Sequence, residues 1–140
     1  MKELKIRTDN SKKGIDEIKL LWNKALSCGE EFSLQGDEVF ISKYSNYENR
    51  EFGKYDYTIM LTKKDFLVEL DEKVREKKYI KYHFSDETIE KCALNVWKKI
   101  WEDSREGKIE RVYTEDYQMD IPEIFSEDKK AHIIVYIGIK

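Results

Sequence analysis

Two stretches of the chain repeat apolar residues every three or four positions. In the longer, Ile89, Cys92, Ala93, Val96, Trp97, Ile100 and Trp101 fall on one stripe, which predicts an amphipathic helix. Ser85 or Asp86 is placed to cap its start, and Gly107 follows its end. A shorter stripe, Ile15, Ile18, Leu21, Trp22, Ala25 and Leu26, predicts an earlier helix closed by Gly29. Around the helices lie runs rich in β-branched and aromatic residues, read as strands over 4–7, 39–44, 55–61, 79–84, 112–119 and 132–139. The last is apolar enough for a central strand covered on both faces.

The resulting order is strand, helix, strand, strand, and then the same again. That order predicts an α+β fold built as a tandem βαββ repeat, each half a helix on a mostly antiparallel sheet. Residues 1–140 form one domain in this reading, with pseudo-repeats over roughly 1–64 and 65–140 and a central ligand cleft at their junction. Pro122, the only proline, falls in a loop after the long strand.

Composition narrows the function classes. Lys and Arg number 26 against 29 Asp and Glu, and neither half is electrically distinct, which argues against direct nucleic-acid binding. No apolar run approaches the ~18 residues of a membrane span, and the N-terminus lacks the apolar core of a secretory signal. Cys28 and Cys92 are too few and too far apart to read as a disulfide framework or a metal knuckle. The simplest location is the cytoplasm. Aromatic residues make up 13% of the chain, which fits either a well-filled core or a concave aromatic pocket.

Several phrases, taken with the order of elements, resemble the GyrI-like, or AraC-type effector-binding, superfamily, close to its stand-alone, integron-cassette-like members. They are Ile6-Arg7-Thr8-Asp9-Asn10 leading to Ile18 and Leu21-Trp22, then Trp97-Lys98-Lys99-Ile100-Trp101, then Arg111-Val112-Tyr113-Thr114-Glu115-Asp116-Tyr117, and the ending Val135-Tyr136-Ile137-Gly138-Ile139-Lys140. The resemblance implies two βαββ units with a small-molecule pocket between them. It also implies binding of hydrophobic, often cationic compounds, as in relatives that stand alone or are fused to DNA-binding domains. A related group inhibits gyrase, and a few relatives hydrolyse strained-ring compounds. The chain has no room for an added helix-turn-helix, so a regulatory role would need a separate protein partner. Two departures stand out. Gln118 occupies the position where the family carries a ligand-anchoring glutamate, and an amide supplies no charge to offset a cation. The charged run from Glu72 to Lys78 reads as a longer, solvated hairpin.

Strand alternation then selects candidate lining residues. Tyr113, Glu115, Tyr117 and Met119 share one face; Thr114, Asp116, Gln118 and Asp120 share the other, which looks into the cleft if the aromatic face lies under the helices. In the last strand Ile133, Val135, Ile137 and Ile139 are core, leaving Ile134, Tyr136 and Gly138 on the pocket side. Parity puts Tyr57 with the core-like Ile59, and Met60 opposite; both are retained as candidates. Trp97 and Trp101, four apart, stack on one helical face and serve either as core or, given the resemblance, as pocket wall. The candidate ligand-binding set is therefore Tyr57, Met60, Trp97, Trp101, Asp116, Gln118 and Tyr136, with Trp22 structural. His83 and His132 stand alone in sequence and read as non-ligands. No phosphate loop or nucleophile elbow occurs, and neither cysteine has a recognisable His partner. The Glu30-Glu31 and Glu102-Asp103 pairs read as solvated helix ends. The expectation is a non-catalytic binder of a small aromatic ligand that needs no cofactor and no metal. A hydrolase using the same cleft and a gyrase-inhibitor-like interaction module are the alternatives.

Overall fold

The computed structural model describes residues 2–27, 36–50 and 52–140. Its elements are β1 (Lys2–Thr8), α1 (Lys12–Leu26), β2 (Glu38–Ser45), β3 (Tyr55–Lys63), α2 (Asp65–Arg75), β4 (Tyr79–Asp86), α3 (Ile89–Arg105), β5 (Glu115–Ile121), a short 3-10 turn (Glu123–Phe125) and β6 (Ala131–Gly138). The described residues form an α+β fold with a six-stranded sheet and three helices. Two units make up the chain: Met1–Glu69 with Tyr113–Tyr117, and Leu70–Val112 with Gln118–Lys140. β5 therefore starts in the first unit and ends in the second.

In the first unit β3 runs antiparallel between β1 and β2, pairing Leu4 with Ile59 and Phe40 with Leu61. Flanked on both sides, β3 is buried along most of its length. Tyr55, Tyr57, Ile59 and Leu61 alternate onto the face covered by Leu21 and Ala25 of α1. α1 starts where Ser11 Oγ accepts the amide of Gly14 at 3.1 Å. Asp9 in turn accepts the Ser11 amide at 3.0 Å, which fixes the approach from β1. On the other face Phe66 of α2 meets Tyr117 edge-on at 5.1 Å.

In the second unit β4 and β6 are antiparallel, and the β6 row Ile133, Val135 and Ile137 lies under Cys92, Val96 and Ile100 of α3. The three-and-four spacing of α3 is what lets these side chains meet one row of the strand. Each fully buried Ile or Val contributes roughly 1.5–3 kcal/mol of burial.

Three expectations need correcting. The second predicted helix is capped by Thr88, whose Oγ1 accepts the Lys91 amide at 3.3 Å; Ser85 and Asp86 are the last residues of β4, opposite His132 and Ala131. The ladder claims their backbone before a helix can. Gly107 does follow the helix end, with φ of +75°. The charged run from Glu72 is no hairpin, because through Arg75 it forms the last turn of α2. Phe66, Leu67, Leu70 and Val74 carry its apolar stripe, with Leu70 buried. The strand predicted over 112–119 begins only at Glu115, since Tyr113 has φ of +55° and Arg111 makes an isolated bridge to Ile139. Cys28, Gly29 and the Glu30-Glu31 pair lie outside the described residues.

Candidate functional site

The second unit gathers the indoles and the polar β5 residues into one array. Trp97 and Trp101 on α3 have ring centres 6.1 Å apart, inclined by 39°. The Trp97 indole N–H donates to Oε1 of Gln118 at 2.8 Å. That donor fixes the orientation of the amide, so Nε2 of Gln118 points the other way and donates to Oδ1 of Asp120 at 2.7 Å. The chain of donors ends on a carboxylate. Solvent reaches one side of Asp120, but surrounding protein removes much of its hydration and pushes its pKa above the ordinary carboxylate value; the Gln118 hydrogen bond works against this. The Arg111 guanidinium, itself buried, lies 6.0 Å from the Trp97 ring centre.

Within the second unit Gln118 thus faces α3, and within the first Tyr117 faces Phe66 of α2. Parity had grouped these residues correctly; which face the helices cover could not be read from alternation.

Tyr136 occupies the opposite side of β6 from the row under α3. It is buried, and its hydroxyl donates to Oδ1 of Asp71 at 2.8 Å. Lys81 reaches the same oxygen at 3.0 Å and lies 5.4 Å from the Tyr136 ring centre. Burial opposes the charge of Asp71, but hydrogen bonds from Tyr136 and Lys81 prevail and hold its pKa below the usual range. Burial, together with that carboxylate, drives the Tyr136 phenol up. Tyr136 and the Trp97–Gln118 pair therefore lie on different faces of the second unit.

The remaining candidates belong to the first unit. Tyr57 is a core residue whose hydroxyl accepts the Trp22 indole N–H at 2.7 Å and lies 2.6 Å from Ser42 Oγ. Met60 is buried on the other face of β3. Asp116 is fully buried and accepts the Tyr47 hydroxyl at 2.5 Å; Tyr47 in turn packs edge-on against Tyr113 at 5.6 Å. Trp22 also meets Phe40 edge-on, consistent with the structural role expected of it.

Asp120, outside the candidate set, shares the strand face of Gln118, and the alternation carried one step past Gln118 is the sequence signal that reaches it. Two further groupings had no sequence signal, because their partners are brought together only by strand pairing and helix packing. Tyr82 donates to Asp103 at 2.8 Å beneath α3. His83 and His132, read as solitary, lie 3.0 Å apart. Cys92 is buried with its thiol toward the Phe84 carbonyl, and burial pushes its pKa up. Among the described residues no helix is long and apolar enough to cross a membrane. Comparison with protein-family models, characterised proteins and solved structures finds no match to this chain.

Proposed function

We propose that this chain is a non-catalytic binding protein for small, largely apolar aromatic molecules, a cytoplasmic member of the GyrI-like effector-binding kind. The observation that carries the reading is the array in the second unit, where two neighbouring indoles sit beside a hydrogen-bonded amide that leads to a carboxylate. Indole faces supply apolar area and attract cations, while Gln118 and Asp120 orient a ligand's polar groups. Asp120 takes over the charge that Gln118 lacks at the family's glutamate position. The tandem βαββ reading is supported by the element order, β1-α1-β2-β3 followed after α2 by β4-α3-β5-β6. In both sets the third strand pairs with the first.

The experiment is a tryptophan-quenching titration of the full chain with aromatic dyes, one cationic and one neutral of similar shape. Binding near 1 μM, about −8 kcal/mol, is expected for the better ligands. Trp101→Ala should weaken both dyes, and Asp120→Asn should weaken the cation selectively. A folded Trp101→Ala chain that binds as well as the parent would place the ligand elsewhere; no binding by the parent would remove the proposal.

A further inference from the structure

His83 and His132 are the only 2 histidines of the chain. The β4–β6 register pairs His83 with Ile134 and Ser85 with His132, so the imidazoles are diagonal neighbours on one sheet face. That face lies opposite Tyr82 and Ile133, which point into the core under α3. Nε2 of His83 and Nδ1 of His132 are 3.0 Å apart. Beyond them, Asp128 accepts from the Ser126 hydroxyl at 2.6 Å and the Lys130 amide at 3.0 Å. The same carboxylate lies 2.9 Å from Nε2 of His132, on the far side of that ring from Nδ1. Nδ1 of His132 is thus turned toward His83 while the other nitrogen of the ring is seated against Asp128. An imidazole whose far N–H is anchored on a carboxylate is the arrangement that metal-binding histidines use.

We propose that Nε2 of His83 and Nδ1 of His132 form a binding site for a divalent late transition-metal ion, Cu²⁺ above all, with Asp128 as the positioning residue behind His132. The ion takes the place of the hydrogen bond between the two nitrogens, and each ring binds it as a neutral imidazole whose proton sits on the other nitrogen, Nδ1 of His83 and Nε2 of His132. With metal–nitrogen bonds of about 2.0–2.1 Å, a 3.0 Å separation subtends an angle of about 91–97° at the metal. This suits neighbouring positions of a tetragonal ion better than the wider angle of tetrahedral zinc, and Cu²⁺ heads the affinity order for nitrogen sites. Among the described residues no group of three or more His, Cys, Asp or Glu side chains is disposed to hold a metal. The site accordingly has two protein ligands, and water or a small anion fills the other positions. His83 is exposed, so the ion has access.

The test uses the untagged full chain and Cu²⁺ alone. With only 2 imidazoles in the chain, each ring can be followed by nuclear magnetic resonance. Substoichiometric Cu²⁺ should broaden both sets of ring signals before any others, and electron paramagnetic resonance should show coupling to a pair of nitrogens. His83→Ala, at an exposed strand position, should weaken binding more than about tenfold, over about 1.4 kcal/mol. Asp128→Asn should weaken it about 10–100-fold while both nitrogens remain bound. Early broadening of one ring alone, or of neither, in the parent chain would overturn the proposal however the variants fold. Unchanged affinity in folded His83→Ala would do the same.

Discussion

The indole Nε1–H of Trp97 donates to Oε1 of Gln118 across 2.8 Å, and this bond decides which way the amide faces. Reversing the amide would set its N–H₂ against the indole N–H and its oxygen against Asp120. The Trp97–Gln118–Asp120 chain is therefore directional, and a change at any member is felt by the next.

Replacing Gln118 with Glu tests this directly. The new carboxylate can still accept the indole N–H, but it loses the donor that Gln118 offers to Asp120 and sets two carboxyls side by side. Near neutral pH the variant should be less stable than the parent, recovering as pH falls and one carboxyl takes up a proton. Cation binding should strengthen relative to a neutral isostere, by on the order of 1–3 kcal/mol. Paired dye titrations and denaturant melts read both effects; equal changes for the two dyes would separate position 118 from the ligand's charge.

Asp120→Asn is expected to stabilise the empty protein slightly at pH 7. Because the folded pKa of Asp120 is raised, the folded state binds the proton more tightly than the unfolded chain. Stability therefore falls as pH rises from the unfolded carboxylate value through the raised folded value. Solvent on one side of the group limits the gain to a few tenths of a kcal/mol. Denaturant melts across pH 4–8 should show that slope in the parent and lose it in Asp120→Asn.

Tyr82→Phe removes the phenolic donor to Asp103 and should cost about 1–2 kcal/mol, since both groups are buried and the acceptor is charged. That hydrogen bond, with Lys99 assisting against burial, holds the Asp103 pKa below the ordinary value. Its contribution is present above the unfolded carboxylate pKa and is lost as pH falls through the folded one. Thermal melts below pH 4 should bring parent and Tyr82→Phe closer together; a constant gap would mean the loss is packing alone.

Gly14→Ala sets helix propensity against sterics. Ala is favoured over Gly by about 1 kcal/mol inside a helix. At this position, however, a Cβ would strike the Asp9 carbonyl oxygen, which is backbone and cannot rotate aside. Overpacking of this kind typically costs about 1–3 kcal/mol, so net destabilisation is expected. A chemical melt showing a more stable Gly14→Ala chain would contradict the close approach of β1's end to α1.

The stripe from Ile89 to Trp101 and the alternation in β3 and β6 were legible because burial against one neighbour imposes a period on the residues themselves. The same physics put Ile133, Val135 and Ile137 in the core and grouped Asp116, Gln118 and Asp120 on one face of β5. α2 was not read from the sequence, because its stripe of Phe66, Leu67, Leu70 and Val74 is short and the dense charge of its last turn masked it.

Which face of β5 meets α3 was beyond the sequence, because alternation is symmetric: it says which residues go together and not which side they take. Packing of Trp97 over Gln118 settled that. The pairing of His83 with His132 likewise follows from the register of two strands whose histidines are separated by 49 positions. Periodicity along the chain is a local consequence of burial. The placement of one polar side chain on another comes from long-range strand register and helix packing, and in this protein only the tertiary structure fixed it.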